Sequence, residues 1–247
     1  MIFDEKNAKK IRLVAFDLDG TLTQHKSPLG AENRAALEAL AKDKKLVMVG
    51  AGQCVRIFKQ MGEFPIDIIG NYGMQFAPYD YEKGTLGEVT NLAVDCDREK
   101  TEARVTEIRE KCGYTEFAGD NVEFHASGCI TLPILGTAAK IEDKLAYDPD
   151  RKKRRANYDY VCSMFPEYTT FVGGSSSFDI VPKPYEKAQA LRDYCAKYGY
   201  STDEVVFVGD DYGIGGNDEP VFVSEIPFLR IDDYRTFPQI VDCLITK

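Results

Sequence analysis

Short apolar runs alternate with amphipathic stretches at the start of the chain. Residues 11–16, 46–49 and 66–69 are mostly apolar, and residues 31–42 and 55–61 between them carry apolar side chains at helical spacing. Buried strands of a parallel sheet are continuously apolar, whereas helices show a periodicity of 3.6 residues. The pattern therefore predicts alternating strands and helices, which is typical of a parallel α/β domain.

The middle of the chain has a different rhythm. Residues 98–112 have the spacing of an amphipathic helix, and residues 138–165 predict a polar helical region. Short apolar runs separated by glycine-containing turns predict three hairpins, at 76–84, 122–135 and 169–181. Hairpins mixed with helices indicate an α+β module.

The α/β rhythm returns after this module. Two further helices and two further strands are predicted, at 187–198, 205–208, 228–231 and 237–245. We therefore expect an α/β core domain formed by residues 1–79 and 186–247, interrupted by an inserted α+β domain at residues 80–185.

Composition excludes several classes of protein. The chain has 247 residues, of which 44% are hydrophobic and 29% charged, which is ordinary for a globular protein. A net charge of −9 argues against a non-specific nucleic-acid binder or a protein bound to anionic membranes. Seven cysteines without a C-x-x-C pair, and no apolar window long enough to span a bilayer, predict a soluble cytoplasmic protein. The two histidines exclude a multi-histidine metal site.

Acidic residues follow two of the predicted parallel strands. Asp17 and Asp19 come directly after the first strand, and Asp210 and Asp211 follow the strand at 205–208. Ligands of open α/β sheets bind at the carboxyl ends of the strands, where these acids would converge. Several carboxylates in one place repel each other unless a cation neutralises them, and oxygen ligands favour Mg²⁺. We therefore expect a magnesium site there.

Two motifs resemble a known superfamily. Residues 16–23, FDLDGTLT, match the D-x-D-G-T-x-T motif of the haloacid-dehalogenase-like phosphotransferases, and residues 208–218, VGDDYGIGGND, resemble the fourth motif of that superfamily. Further similarity, at 50–62, 123–136 and 173–182, resembles the eukaryotic-type phosphomannomutases. The resemblance implies a Rossmann-like parallel-sheet core with a cap of type C2b inserted at residues 80–185.

The resemblance also implies roles for particular residues. Asp17 would be the nucleophile that forms an aspartyl-phosphate, Asp19 the general acid and base, and Lys187 the cation that neutralises the phosphate. Mg²⁺ would be held by Asp17, Asp19 (through its backbone carbonyl) and Asp210, supported by Asn217 and Asp218. The implied phosphate-binding residues are Thr21, Gly52, Gln53 and Lys187. In the cap, Ser177 and Asp179 match sugar-contacting residues, and Lys144 is a further candidate for substrate binding.

The sequence departs from the family in two places. Gly52 stands where the second motif offers a Ser or Thr hydroxyl to the phosphate, so backbone N–H groups or Gln53 would have to replace that contact. His125, Thr137 and Lys144 stand where the cap of the mutases carries arginines. Because lysine does not bind phosphate in the bidentate way that arginine does, this cap is poorly equipped to hold a sugar bisphosphate.

Three functions are compatible with these features. The leading hypothesis is a Mg²⁺-dependent phosphohydrolase acting on a small phosphorylated metabolite, plausibly a sugar phosphate, because the catalytic set is intact and the cap arginines are missing. The alternative is a phosphomannomutase-like isomerase. A non-catalytic protein with a degenerate haloacid-dehalogenase-like scaffold is the third. Neither nucleic acid nor a membrane is expected as a partner, and the oligomeric state is left open.

Overall fold

Seven strands from the two ends of the chain form one sheet in the computed structural model, which describes residues 1–245. The strands are β1 (Leu13–Phe16), β2 (Lys45–Val49), β3 (Asp67–Gly70), β4 (Gln75–Ala77), β7 (Thr90–Asn91), β12 (Val205–Gly209) and β13 (Phe228–Arg230). Their order is β13-β12-β1-β2-β3-β4-β7; the first five are parallel, and β4 and β7 are antiparallel additions. A separate small hairpin pairs β5 (Tyr79–Asp80) with β6 (Thr85–Leu86).

Helices cover both faces of this sheet. They are α1 (Ala31–Leu40), α2 (Cys54–Gln60), α7 (Lys187–Tyr198), α8 (Glu219–Phe222) and α9 (Phe237–Val241). Alternate residues of β1 face opposite sides, so Val14 and Phe16 pack with residues of α1, α2 and α9, while Leu13 and Ala15 pack with residues of α7 and α8. Every residue of β1 is buried, as its continuous apolar run predicts.

Short 3-10 helices complete this part of the chain. They are Glu5–Lys10, Asn71–Gly73, Thr202–Glu204, Tyr234–Thr236 and Asp242–Leu244. The predicted final helix at 237–245 is therefore an α-helix that stops at Val241 and continues as a 3-10 turn.

Four antiparallel strands and four helices make up a second, separate unit. The strands are β8 (Glu123–Phe124), β9 (Ile130–Pro133), β10 (Tyr168–Phe171) and β11 (Ser177–Pro182), in the order β10-β11-β9-β8. The helices are α3 (Arg98–Cys112), α4 (Ile141–Tyr147), α5 (Lys152–Ala156) and α6 (Tyr158–Met164). Val105 and Ile108 of α3 pack with Phe178 and Ile180 of β11 in a core of its own.

Helix α3 has the bounds that its sequence pattern predicts. The carboxylate of Asp97 accepts a hydrogen bond from the backbone N–H of Lys100 at 3.0 Å, which satisfies a donor at the start of the helix. The helix ends at Gly113, whose φ of 71° is the left-handed conformation that glycine adopts without strain. The polar region at 138–165 is different from the prediction, because it forms three short helices instead of one helical stretch.

The predicted fold class, a parallel α/β core with an inserted α+β unit, is confirmed. The first unit comprises Met1–Asn91, Glu186–Gly213 and the described chain from Asp218 onward; the second comprises Leu92–Tyr185 and Ile214–Asn217. Residues 80–91, expected in the insert, lie in the first unit because β7 pairs with β4. Within residues 1–245, no helix combines the length and apolar character needed to cross a membrane.

Candidate active site

Asp17 is positioned by the ends of two neighbouring strands. It follows β1 directly, and its backbone N–H donates to the carbonyl of Val208 in β12 at 3.0 Å. Because β1 and β12 are parallel neighbours, the residues that follow each strand meet at one edge of the sheet. Asp17 and the acids that follow β12 are thereby brought together, as the sequence predicts.

Lys187 lies between two of these acids. It is the first residue of α7 and is completely buried. Its Nζ donates to Oδ1 of Asp17 at 2.5 Å and to Oδ1 of Asp218 at 2.7 Å. Asp218 is equally buried, and Asp17 is only 5% exposed. A buried ammonium ion needs such partners, since an uncompensated charge would be costly to desolvate.

The loop that follows β12 is shaped by Asp218. Its Oδ2 accepts hydrogen bonds from the backbone N–H groups of Asp210 at 3.1 Å and Asp211 at 3.0 Å. A Cβ atom on Gly209 would lie 2.5 Å from that same oxygen, so only glycine allows this approach. Asp218 therefore holds the loop in place through Oδ2 and also accepts a hydrogen bond from Lys187 through Oδ1.

Asp210 is held from the other side by the loop that follows β1. The hydroxyl of Thr21 donates to Oδ1 of Asp210 at 2.9 Å. Gly20 adopts a φ of 101°, and a Cβ atom there would overlap the Asp210 carboxylate. The glycine of the D-x-D-G-T motif is thus needed both for the turn and for the close approach of the acid. Thr21, expected to bind phosphate, contacts Asp210 in this structure.

Three carboxylates form a group that fits a divalent cation. One oxygen from each of Asp17, Asp210 and Asp218 lies within 4.8 Å of the others. Hard oxygen donors of this kind suit Mg²⁺, which is commonly held by a few carboxylates together with water and substrate oxygens. Lys187 balances only one of the three negative charges. The donor set therefore fits the metal that the sequence predicts.

The pKa values show how unfavourable this excess charge is. Burial, followed by the charges of Asp218 and Asp210, raises the pKa of Asp17 well above its usual range despite the opposing effect of Lys187. Burial, together with the charge of Asp218, raises the pKa of Asp210 to about 7. Burial lowers the pKa of Lys187, but Asp17 and Asp218 outweigh that effect and raise it overall. Lys187 is therefore a permanent cation.

Asp19 occupies a different position from the three clustered acids. Its Oδ1 accepts hydrogen bonds from the backbone N–H of Lys26 at 2.7 Å and from Nε2 of Gln60 at 2.7 Å. Gln60 also donates to the hydroxyl of Thr23 at 3.1 Å. The carboxylate of Asp19 is therefore held by Lys26 and Gln60 and does not belong to the cluster of three acids, and its predicted metal contact through the backbone carbonyl stays a prediction. Gln60 was not predicted as a site residue.

The glycine-rich turn after β2 is built closely against its neighbours. The carbonyl of Gly52 accepts a hydrogen bond from the backbone N–H of Asn71 at 2.8 Å, and the N–H of Cys54 donates to the side chain of Gln75 at 3.0 Å. Gln53 is exposed. The guanidinium of Arg56 lies beside Gly52. Arg56 was not predicted as a site residue, because the family resemblance assigns the phosphate contact of the second motif to residues 52 and 53.

Lys144 and His125, at positions where the family carries cap arginines, contact other groups of the second unit. Nζ of Lys144 donates to the carbonyl of Thr137 at 3.0 Å, and Nε2 of His125 lies 2.9 Å from the hydroxyl of Thr131. Asn217, predicted to support the metal, directly precedes Asp218 in the chain, and that role stays a prediction. The positions at which the family carries cap arginines thus hold one ammonium group, and it contacts a backbone carbonyl.

Ser177 and Asp179 lie at the start of strand β11, directly after a turn that a buried arginine supports. The Ser177 hydroxyl donates to the carbonyl of Gly173 at 3.1 Å, and a Cβ atom on Gly173 would overlap the Asp179 carboxylate. Arg154 donates through Nη1 to the carbonyls of Gly173 at 2.6 Å and Ser177 at 3.0 Å. Its Nε donates to Oδ2 of Asp148 at 2.9 Å.

The five consecutive basic residues at 151–155 do not all face solvent. Arg154 is completely buried, and Asp148 is 2% exposed. A single acid six residues earlier gives no helical periodicity, so the pattern alone could not pair them.

The fold and the site together define a class of protein. A haloacid dehalogenase-like hydrolase from Bacteroides thetaiotaomicron has the same fold, with a TM-score of 0.53 and 15% identity over 94% of this chain and 98% of that one. A Plasmodium falciparum IMP-nucleotidase gives a TM-score of 0.64 and 16% identity over 96% of this chain and 71% of that one. Together with the D-x-D-G-T-x-T motif at residues 17–23 and a match to a phosphomannomutase family model, this fold identifies a haloacid-dehalogenase-like enzyme.

Its family follows from the sequence match. Residues 34–228 match the model of the eukaryotic phosphomannomutase family, and the chain belongs to that family. A phosphomannomutase from Spinacia oleracea is 26% identical over 253 aligned residues, which cover 97% of this chain and 98% of the relative.

Proposed function

We propose that this protein transfers the phosphoryl group of a sugar phosphate to Asp17, with Mg²⁺ as cofactor. The observation that carries the proposal is the buried arrangement in which Lys187 holds Asp17 at 2.5 Å beside two further carboxylates. Phosphoryl transfer depends mainly on positioning and on neutralising charge, and this site offers both. A fixed nucleophile, a permanent cation and a cation-binding group occur together.

The residues of the chain divide the chemistry between them. An oxygen of Asp17 attacks phosphorus and forms the aspartyl-phosphate bond, while the bond from phosphorus to the sugar oxygen breaks. The leaving sugar oxygen takes a proton from Asp19, which is placed two residues away and is held by Gln60. Lys187 neutralises the nucleophile and the phosphoryl oxygens. A bound Mg²⁺, held by Asp17, Asp210 and the carbonyl of Asp19, would supply further charge neutralisation.

The second half of the reaction distinguishes two candidate functions. In an isomerase, Asp19 removes a proton from another hydroxyl of the sugar, and that oxygen takes the phosphoryl group from Asp17. In a hydrolase, water takes it. Membership of the phosphomannomutase family favours the isomerase over the hydrolase that the sequence motifs alone placed first.

The second unit supports hydrolysis as the second candidate. An isomerase must hold a bisphosphate while it reorients, which favours arginine side chains that bind phosphate with two hydrogen bonds. Among the positions predicted for that task, Lys144 donates to the carbonyl of Thr137 and His125 contacts Thr131. Hydrolysis requires only one bound phosphate.

A product assay separates the two functions. The protein is incubated with mannose 1-phosphate and Mg²⁺, with and without a hexose bisphosphate, and both mannose 6-phosphate and inorganic phosphate are measured. An isomerase forms mannose 6-phosphate faster than phosphate and is stimulated by the bisphosphate, whereas a hydrolase releases phosphate. If neither product forms from mannose 1-phosphate or from a panel of sugar phosphates, the proposal is wrong. Asp17→Asn is the control that must abolish both products.

We also keep the prediction that the protein works in the cytoplasm. Its support is the composition of the chain, with seven cysteines and no C-x-x-C pair. Fractionation of cells that express the tagged protein tests it, and recovery in a membrane or secreted fraction would contradict it.

A further inference from the structure

The side chain of Arg56 fills the space that the second motif leaves open in this chain. A Cβ atom built on Gly52 would overlap Nη2, Cζ and Nε of Arg56. The family resemblance places a Ser or Thr at residue 52, with its hydroxyl on the phosphate. Here the guanidinium group stands where that side chain would begin. A side chain at residue 52 and the present position of Arg56 therefore exclude each other.

Two contacts hold the guanidinium there. Arg56 and Gln60 are four residues apart in α2, so their side chains lie on one face of the helix, and Nη1 of Arg56 donates to Oε1 of Gln60 at 2.7 Å. Gln60 in turn donates to Asp19 at 2.7 Å, and Nη2 of Arg56 lies 3.8 Å from Oδ2 of Asp19. The guanidinium of Arg56 therefore lies close to Asp19, the proposed general acid and base.

The guanidinium is able to receive an anion. It has five N–H donors, and Gln60 accepts from one of them. Its side chain is 46% exposed, so a ligand can reach it. A hydroxyl would give one neutral hydrogen bond, whereas a guanidinium gives a positive charge and two parallel hydrogen bonds to phosphate oxygens.

The charges of the site call for a second cation. Lys187 already contacts two carboxylates, Asp17 and Asp218, so its charge is shared with them before any substrate arrives. A phosphoryl group beside Asp17 would bring further negative charge. Arg56 is a cationic side chain that the structure brings next to both Gly52 and Asp19.

We propose that Arg56 binds the transferring phosphoryl group in place of the hydroxyl that Gly52 lacks. The inference rests on the proposed phosphoryl transfer to Asp17 and adds to it the residue that grips the phosphate. It also gives a reason for glycine at residue 52, because any larger residue would displace the guanidinium.

The test measures the binding of a phosphate analogue as well as turnover. Orthovanadate and inorganic phosphate are titrated as inhibitors of the wild-type protein with Mg²⁺, and their direct binding is measured by calorimetry. The variants are Arg56→Ala, Arg56→Lys, Gly52→Ser and the double variant Gly52→Ser/Arg56→Ala. Lys59→Ala is the matched control, because it removes one positive charge from an exposed residue of the same helix.

The expected result is a loss of anion binding that tracks Arg56. Arg56→Ala should lower kcat/KM about 10²- to 10³-fold, as removal of one transition-state donor does, and should weaken orthovanadate binding by a similar order. Arg56→Lys should be intermediate. The double variant should regain about tenfold over Arg56→Ala, because the serine hydroxyl takes the vacated place. Lys59→Ala should match the wild type within about twofold.

Failure of the inference and failure of the proposed function look different. If the wild type turns over and Asp17→Asn does not, but Arg56→Ala binds orthovanadate as tightly as Lys59→Ala does, Arg56 is not a phosphate ligand. The same holds if Arg56→Ala lowers thermal stability and leaves orthovanadate binding unchanged. If the wild type neither turns over any sugar phosphate nor binds orthovanadate, both the function and the inference are wrong.

Discussion

Each unit of this protein buries a cation next to acidic side chains, three in one unit and one in the other, so the two arrangements differ in their balance of charge. The core cluster, Lys187 with Asp17, Asp210 and Asp218, carries three acids against one ammonium. The cap cluster pairs one acid, Asp148, with one guanidinium, Arg154, whose remaining contacts are backbone carbonyls.

This difference in charge balance distinguishes a candidate metal-binding site from a structural ion pair. A balanced pair that is fully hydrogen-bonded has no place for a further ion, and the contacts of Arg154 show that its role is to hold the turn at 173–177. An excess of buried negative charge is unstable by itself and is relieved by protonation or by a bound cation. The core cluster therefore has the character of a metal site, and the cap cluster that of a structural element.

The largest effect should come from removing the cation of the core cluster. Lys187→Met leaves the buried carboxylates of Asp17 and Asp218 without their ammonium, so we expect a loss of about 3–5 kcal/mol in the free energy of unfolding at neutral pH without metal. Turnover should fall by about 10³-fold or more, since charge neutralisation is lost. Urea denaturation and a phosphate-release or isomerase assay measure both.

The control for this change lies on the same helix. Lys197→Met removes an exposed charge from α7 and should cost less than about 1 kcal/mol. If Lys187→Met were as stable and as active as that control, the core cluster would not depend on its cation, and the comparison between the two clusters would not hold.

Arg154→Met should also destabilise the protein by about 3–5 kcal/mol, because it leaves the buried carboxylate of Asp148 without its counter-ion and with hydrogen bonds from two backbone N–H groups only. The second change Asp148→Asn should recover part of that loss, since it removes the uncompensated charge. Mg²⁺ should restore none of it. Chemical denaturation of the single and double variants, with and without Mg²⁺, measures these differences, and Lys152→Met is the exposed control in the same helix. Restoration by Mg²⁺ would make the cap cluster a second metal site.

A smaller effect is expected from Mg²⁺ itself. At about 100 times its dissociation constant, the ion should raise the stability of the wild type by about 2.7 kcal/mol. Asp210→Asn should be more stable than the wild type without metal, because one of three like charges is gone, and should gain much less from Mg²⁺. Thermal melts in EDTA and in Mg²⁺ test both. An equal Mg²⁺ shift in the two proteins would remove Asp210 from the metal site.

The stability of the metal-free protein should depend on pH through the carboxyl group of Asp210. The pKa of Asp210 is raised to about 7, so the folded protein holds this proton to higher pH than the unfolded chain, where aspartate titrates near about 4. Its contribution to stability is present below about pH 4 and is lost as the pH rises through about 7. The stability of Asp210→Asn relative to the wild type should therefore increase over that range.

The smallest effect should come from an ion pair at the surface. Arg192 and Glu225 make two hydrogen bonds of 2.9 Å, but their side chains are 35% and 50% exposed. Arg192→Ala should therefore cost less than about 1 kcal/mol, and less still in high salt. Urea denaturation at two ionic strengths measures it. A loss as large as that of Arg154→Met would show that burial is not what separates the strong pairs from the weak ones.

The sequence predicted the parts of the molecule that depend on local patterns. The continuous apolar runs predicted β1, β2, β3 and β12, and helical periodicity over residues 98–112 predicted α3. The first, third and fourth motifs of the resembled superfamily also indicated Asp17, Lys187 and Asp210, and the structure brings these three together. Each of these features depends on neighbouring residues or on a motif with fixed spacing.

Other features depend on which distant residues meet. Residues 80–91 belong to the first unit because β7 pairs with β4, and edge pairing of two-residue strands leaves no periodic signal. The burial of Arg154 depends on carbonyls about twenty residues further along the chain. The position of Arg56 beside Gly52 could not be predicted from the sequence. A glycine in a sequence shows that no side chain is present at that residue, but it does not show which neighbouring side chain fills the space.

The sequence by itself therefore determined the α/β class, the inserted unit and the acids with their lysine, because hydrophobic period and motif spacing are local properties. Only the tertiary structure decided which charged residues are buried and how their charges balance. Burial and charge balance are properties of the space around a side chain, and residues from distant parts of the chain fill that space. For this protein they separate the three acids that fit a cation from the arginine that supports a turn.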